Sequence, residues 1–489
     1  MKKQNKQVWY VLAAAMLAAS LNACANNDAS EEIATTNQLS VIQTEAVTVS
    51  EEQMYIDALP GADFDGEVFS ILANATTHGT ISYDTEAETG ETFNDFIYAR
   101  NRAVEERYNI TIELTQDDNV DSIARNMVTA GEDTYDMISS WIKNVLVNAT
   151  GGYFYNLHDI PTIDLQKPWW DAQCSELLTI SDRLYVAFSD MNVQPLDLLG
   201  GTCVNNELVK QYDLPSPQEA VYAGTWTMDL AYEMMRRVAG DTNGDGSMGE
   251  ADTWGYITGI GDINALMIAA DRHYITLDSN GEMQLNYSSE PVVAAAEKME
   301  KLILDTSTSV YLNNHSWGSS VFQDNRALFQ ATTVRSYYHS WRSWDLDITL
   351  LPPPKFDETQ ESYHSMMSNC SMGVSVPATA SDIERTGTII EALNAYSYNA
   401  IDEVYYELTL QDKLARDEDS VRMLDMITEA RVVDIAVLNE SAWGDVIWAF
   451  LNSFEKNGSA QLASLTEKHQ KAFEKIRNDI VEAYESLDN

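Results

Sequence analysis

Between residues 67 and 139 the hydrophobic pattern switches repeatedly between the period of a strand and that of a helix, and few folds accept that order. Glu67 to Leu72, EVFSIL, is a short apolar run between polar residues and reads as a strand. Phe93, Phe96, Ile97, Arg100, Val104 and Tyr108 then recur every three or four residues behind Thr92 and Asp95, as in a capped amphipathic helix. Ile110 to Leu114 is a second strand, Ser122 to Ala130 a helix stopped by Gly131, and Tyr135 to Ser139 a third strand. Strands alternating with helices pair in parallel, because each helix returns the chain across the sheet. Ligand loops of such sheets gather at the carboxyl ends of the strands. The class is therefore α/β, and a chain of 489 residues is too long for a single core.

Charge narrows the partners. With 30 basic against 76 acidic residues the formal charge is -46, which argues against nucleic acid and against adhesion to anionic lipid. Disorder is not implied, since the chain holds 24 Tyr and 11 Trp. At the N-terminus, Lys2, Lys3 and Lys6 precede the apolar run Val8 to Ser20, too short to span a bilayer, and Leu21-Asn22-Ala23-Cys24 follows. Residues 1–23 read as an export signal, and residues 24–59, rich in Asn, Ser, Thr, Glu and Ala, as a flexible tether. Cys174, Cys203 and Cys370 allow at most one disulfide and show no metal spacing.

The most specific chemistry lies at Asp241 to Asp252, DTNGDGSMGEAD. Asp241, Asn243 and Asp245 fall at positions 1, 3 and 5 of a calcium loop, Gly246 at its turn, Ser247 at position 7 and Asp252 at position 12. Alternate oxygen-bearing side chains in that register suit a hard cation, and a structural Ca2+ is expected. Asp in place of Glu at position 12, and the strand-like TWGYITG that follows, mark a lone calcium-binding connection rather than a paired sensor. Around it, Met228 to Val238 reads as a helix, Tyr256 as part of a strand, Gly261 to Asn264 as a loop and Pro291 to Leu304 as a helix. Ser189 to Asn192 with Gly200-Gly201, and later Pro352 to Pro354, suit crossings between two lobes. Met372 to Val376 reads as a strand, and most of the chain after Asp382 as helix, broken near Gly458.

YDMISSW, IDLQKPWWD, WTMDLAYEMMRRVAGDTNGDGSMGEADTWGY, ITLLPPPKFDETQESYHS and YYELTLQDKLARDEDSVRMLDMI, in that order behind a lipobox-like Leu-x-Ala-Cys, resemble the family 1 extracellular solute-binding lipoproteins of bacterial ABC importers. The resemblance implies a two-lobed periplasmic-binding-protein fold of the maltose-binding-protein type with the ligand in a cleft between lobes. Residues 60–190 plus 355–435 would form the N-terminal lobe, and 191–354 plus 436–489 the C-terminal lobe, which carries the calcium loop. It implies a carbohydrate ligand, an ABC permease as partner, a monomer, and a lipid anchor on Cys24 at the outer face of the cell membrane. By position, Trp141, Asp190, Asn264, Arg335 and Trp443 would contact the ligand, rings covering sugar C–H faces and polar groups taking hydroxyls. Arg335 stands where a ring is common, which would permit an acidic sugar.

Two other classes share some of these features. A secreted, calcium-stabilised carbohydrate-active enzyme would need a carboxylate pair, but no GxSxG, HExxH, P-loop or dinucleotide fingerprint occurs. A SusD-like glycan-capturing lipoprotein should open with helix pairs, against the strand-rich opening here.

Overall fold

The computed structural model describes residues 50–75, 83–279, 281–315, 317–341, 344–400, 404–405 and 418–487. The export signal and Cys24 lie outside them. The expected tether ends earlier than its composition suggested: Glu51–Ala58 is a helix, α1, whose Ser50 side chain accepts from Gln53 N. It is held because Tyr55 meets Trp169 and Tyr398 edge-on, at 5.3 and 5.5 Å between ring centres.

The alternating opening folds as its periods require. β1 (Glu67–Asn74), α2 (Thr92–Tyr108), β2 (Ile110–Asp117), α3 (Val120–Ala130) and β3 (Met137–Ser139) build a parallel sheet of order β2-β1-β3. Glu67 pairs with Ile110 and Ile71 with Met137. Gly131 ends α3 with φ at 70°, a left-handed conformation that glycine adopts without cost. Residues 372–376 enter this layer antiparallel through bridges of Val374 to Ala187 and Ser375 to Ile138. Gly373 permits it: a Cβ there would stand 2.9 Å from the Ala187 carbonyl oxygen. Next to β3, α4 (Ile142–Ala149) packs its Ile142, Val145 and Leu146 inward.

A second sheet forms the other lobe. β4 (Gly200–Asn205), α5 (Met228–Val238), β5 (Trp254–Thr258), α6 (Ile260–Ala269), α7 (Glu290–Ile303), β6 (Ser309–Tyr311), β7 (Ala327–Thr333) and β8 (Ile348–Leu351) give the strand order β8-β4-β7-β5-β6. β5 runs parallel to β7 and β6, and β4 runs antiparallel to β7. Successive side chains leave opposite faces. Tyr256 and Phe329 face one core with Trp226, whereas Cys203, Ile257 and Val310 face another with Phe322 and Trp341. Cys174, Cys203 and Cys370 are free thiols, and burial pushes that of Cys203 far up.

The C-terminal third is interwoven. β9 (Ser365–Met366) pairs in parallel with β10 (Arg431–Val432). α8 (Ile383–Ser397) packs on α2 of the first lobe, but α9 (Glu418–Glu429) packs on β8 of the second. The expected first-lobe range 355–435 is thus divided, because Leu424 and Ile427 complete the core of Cys203 and Val310. The expected second-lobe range 436–489 is divided too. α10 (Ile435–Leu438) lies on α4, while α11 (Asp445–Asn457) contacts α6. α12 (Leu462–Ser486) spans both: its Arg477 Nη1 donates to Met283 O at 3.1 Å, and Tyr484 meets Tyr185 edge-on at 4.9 Å. Among the described residues no helix is long and apolar enough to cross a membrane.

Candidate functional site

The crossing segment 190–199 meets the carboxyl end of β3 through Asn192 and Tyr83, and that of β7 where Val334 N donates to Leu199 O, and a candidate site between the lobes lies at those strand ends. On the first-lobe side β1 ends at Asn74, whose buried Oδ1 accepts from Trp141 N at 3.0 Å. Trp141 bridges to Met372, and Lys143 Nζ lies 4.7 Å from its ring centre, so one face carries a cation. The β3 end is sewn to the crossing. Ser139 Oγ and Tyr83 OH share a 2.6 Å hydrogen bond, and Asn192 Nδ2 donates to Tyr83 OH at 3.1 Å. Gln194 bonds Cys370 O through Nε2 at 2.9 Å and accepts from Met372 N at 2.9 Å. Burial pushes the Tyr83 phenol up to about 12 and Arg100 down to about 10. Arg100 nevertheless donates to Tyr83 O and Met191 O, so a buried cation pins the crossing from below.

Asp197, wholly buried, carries the crossing into the second lobe. Tyr405 donates to its carboxylate, and Arg335 Nε and His339 Nε2 lie 4.0 and 3.9 Å from it. On the second-lobe side, β5 ends at Thr258 and α6 begins at once. Gly259 N donates to Asp262 Oδ2 at 2.6 Å and Ile260 N to Asn313 Oδ1 at 3.0 Å, which caps the helix. Loss of solvation pushes the Asp262 carboxyl up to about 6, against the pull of the Gly259 amide. Thr258 and Tyr311 pair across β5 and β6, and their hydroxyls are buried without a hydrogen-bond partner. A buried hydroxyl without a partner costs about 1–3 kcal/mol, so this pair holds unspent hydrogen-bonding capacity.

The structure sorts the residues expected to touch ligand. Trp141 and Arg335 stand at strand ends on opposite sides of the crossing. Asp190 begins the crossing, its N–H donating to Trp169 O at 3.0 Å. Asn264 is not on a loop: the capping interaction at Asp262 makes Ile260–Ala269 helical, and Asn264, 6 % exposed, accepts from Tyr274 OH at 2.9 Å. Trp443 is a core residue rather than a stacking platform. It has no exposure, donates from Nε1 to Ile435 O at 3.2 Å and stacks on Phe473 at 5.4 Å. Trp448, one turn into α11, is 41 % exposed and is the ring that segment offers to solvent. Thr258, Asp262, Tyr311 and Asp197 escaped sequence reasoning, since their juxtaposition depends on strand register.

The loop of Asp241 to Asp252 closes on itself. Asp241 accepts from Gly244 N and Gly246 N, at 2.6 and 2.8 Å, with Gly246 at φ 87°. Asp245 accepts from Ser247 N and Asn243 Nδ2, and these bonds hold its carboxyl below the ordinary range. Asp252, fully buried, accepts from Thr242, Asn243 and Gly249 amides. An all-oxygen donor set suits Ca2+ chemically. Among the described residues no three or more acidic, histidine or cysteine side chains gather as a metal cluster, and Asp241, Asn243, Asp245, Ser247 and Asp252 are the oxygen donors that would hold the ion.

No protein-family model matches the chain, and no curated protein matches it in sequence. Solved structures do. The ABC substrate-binding protein Lmo0181 of Listeria monocytogenes, in complex with cycloalternan, aligns over 86% of this chain and 99% of its own at 10% identity, with a TM-score of 0.53. The GacH receptor of Streptomyces glaucescens, solved unliganded and with acarbose, aligns over 85% and 99% at 11% identity and 0.53. The maltose/maltodextrin-binding domain MalE of Bdellovibrio bacteriovorus, bound to maltotriose, aligns over 83% and 99% at 13% identity and 0.52. The architecture is thus the two-lobed α/β fold of periplasmic binding proteins. More narrowly, it is the maltose-binding-protein type.

Proposed function

We propose that this protein captures a carbohydrate, an oligosaccharide rather than a single ring, between its lobes and hands it unchanged to an ABC permease. The observation that carries the reading is the meeting of two sets of strand ends across one crossing: a cation-backed Trp141 on one side, and Thr258, Asp262 and Tyr311 with unspent hydrogen-bonding capacity on the other. A ring against sugar C–H groups supplies affinity, and placed acceptors and donors supply selectivity. Solved proteins of the same fold hold cycloalternan and maltotriose, which supports a sugar as the ligand class. Calorimetry against mono-, oligo- and uronosaccharides, run beside an assay for reducing-end release, tests it. Saturable binding without turnover is expected; turnover of any glycan overturns the reading.

Three further elements belong to the same proposal. Acylation of Cys24 holds a monomer at the outer face of the bacterial cell membrane, which palmitate labelling of wild type and Cys24→Ala checks. Ca2+ in the Asp241 loop acts on stability rather than on the ligand, since Gly240 and Thr253 close the loop within the second lobe. Arg335, 35 % exposed beside Asp197, admits an acidic group on the sugar.

A further inference from the structure

Away from the strand ends, two histidines and two aspartates meet where the second lobe touches the returning chain. His273 follows α6 in the second lobe. Its Nδ1 lies 2.7 Å from Asp434 Oδ2, and Asp434 is the N-cap of α10, with Oδ1 accepting from Val437 N at 2.9 Å. The segment that Asp434 opens is fastened to the first lobe, where Ser441 Oγ donates to Asn144 Oδ1 of α4 at 3.1 Å. On the other side of the imidazole, Asp271 Oδ1 is 3.8 Å from His273 Nε2 and 3.6 Å from His364 Nδ1. His364 immediately precedes β9, and its Nδ1 is buried without a hydrogen-bond partner. Asp434 is 1 % exposed at its side chain while His273 keeps 30 %, so the carboxylate is shut in and the imidazole can reach solvent protons.

We propose that His273 and Asp434 form a proton-sensitive clasp that joins the second lobe to the segment fastened on the first, with His364 and Asp271 as its outer half. The groups facing His273 are Asp271 and Arg272 on its own segment, Asp434 on the α10 segment, and His364 ahead of β9; the buried phenols of Tyr274 and Tyr287, which stay un-ionised, lie near Asp434. Burial alone would depress His273, but the hydrogen bond and charge of Asp434, aided by Asp271, hold it above its ordinary value. Burial holds His364 below its own, with Asp271 opposing. A histidine raised in the folded state contributes stability that is fully present below its unfolded value and is lost as pH rises through the folded one. The imidazolium form therefore neutralises a carboxylate that water cannot reach, and deprotonation leaves that carboxylate shut in with a neutral donor. The clasp is tight in acid and loosens as pH rises through the raised value of His273, and His364 adds a second positive charge only at lower pH.

The test needs no ligand, so it stands or falls apart from the carbohydrate reading. NMR titration of the histidines in the full chain should place His273 above the free-histidine value of about 6.5, and Asp434→Asn should bring it down. Hydrogen exchange of the Val437 amide, corrected for intrinsic rate, should lose about fivefold or more in protection between about pH 6 and about pH 8. His273→Gln should show the weaker protection at both. His273 titrating at or below its ordinary value, or Val437 protection independent of pH in wild type, overturns the clasp. Should His273→Gln fail to fold, the wild-type titration and the Asp434→Asn shift decide the matter alone.

Discussion

Glu391 offers the sharpest test of how the first lobe holds the crossing. It projects from α8 with 5 % exposure and accepts three hydrogen bonds: from Asp164 N at 2.9 Å and Trp170 Nε1 at 2.8 Å on Oε1, and from Trp169 Nε1 at 3.0 Å on Oε2. Trp169 O in turn accepts from Asp190 N, and Trp170 bridges to Ser189, so the carboxylate fixes the start of the crossing through both indoles. Glu391→Ala leaves two buried indole donors unpaired at about 1–3 kcal/mol each, roughly 2–6 kcal/mol before local relaxation, and also frees the more exposed Asp164 amide. Glu391→Gln keeps the oxygen that serves two donors and turns an NH2 toward the third, for about 1–3 kcal/mol. Burial also pushes this carboxyl up from 4.5 to about 7, against the pull of the three donors. Raised in the fold, it contributes stability present below about 4.5 and lost as pH rises through about 7, on the order of 3 kcal/mol. Urea unfolding at several pH values measures all three. The reasoning fails if Gln costs as much as Ala, or if wild type and Glu391→Gln keep parallel stability curves from pH 4.5 to 7.

The remaining expectations separate contact from scaffold. Trp443→Ala should cost about 3–5 kcal/mol of stability yet leave sugar affinity unchanged where the variant is folded; an affinity loss without destabilisation would return Trp443 to the site. Trp141→Ala should weaken the best sugar about threefold to tenfold, read by calorimetry, with no comparable loss of stability. Tyr311→Phe and Asp262→Asn should each cost about tenfold or more in affinity, and wild-type affinity should fall as pH drops through about 6, where the Asp262 carboxylate gains a proton. Added Ca2+ should raise the melting temperature and Asp245→Ala should abolish the rise; no shift at millimolar Ca2+ would leave the loop a plain turn.

What the sequence made legible follows from the range of the forces involved. Period and capping are local, so the alternation from β1 to β3 could be read, and Met228–Val238 matched residue for residue because Thr227 Oγ1 accepts from Leu230 N. Gly259 and Gly261 look like loop signals, but the Asp262 side chain three residues on turns that stretch into the first turn of α6. An aromatic residue at a helix start packs in a core or stacks on a ligand with equal ease, and only the fold distinguishes Trp443, in the core, from the half-buried Trp141 beside Lys143. The lobe assigned to α9 was beyond local reading too, since Leu424 and Ile427 find their partners far upstream in the chain, on β8 and in the core of Cys203 and Val310.

The polar groups around the crossing are spent unequally, and that bears on where selectivity resides. On the first-lobe side Asn74, Ser139, Tyr83, Asn192 and Gln194 are each committed to a neighbour, and together they hold Trp141 and residues 190–199 in place. Rearranging them for a ligand would break bonds already made. On the second-lobe side the Thr258 and Tyr311 hydroxyls have no partner, and Asp262 bonds only the Gly259 amide. A ligand hydroxyl there gains hydrogen bonds without displacing protein ones, the cheaper exchange. Under the proposed carbohydrate reading, the first lobe therefore presents a fixed surface around Trp141, and discrimination between sugars would fall to the second. Exchanging Thr258 and Tyr311 together for Val and Phe should flatten the preference among sugars more than Trp141→Ala does, although Trp141→Ala weakens all of them; a uniform loss from the double variant would refute this division.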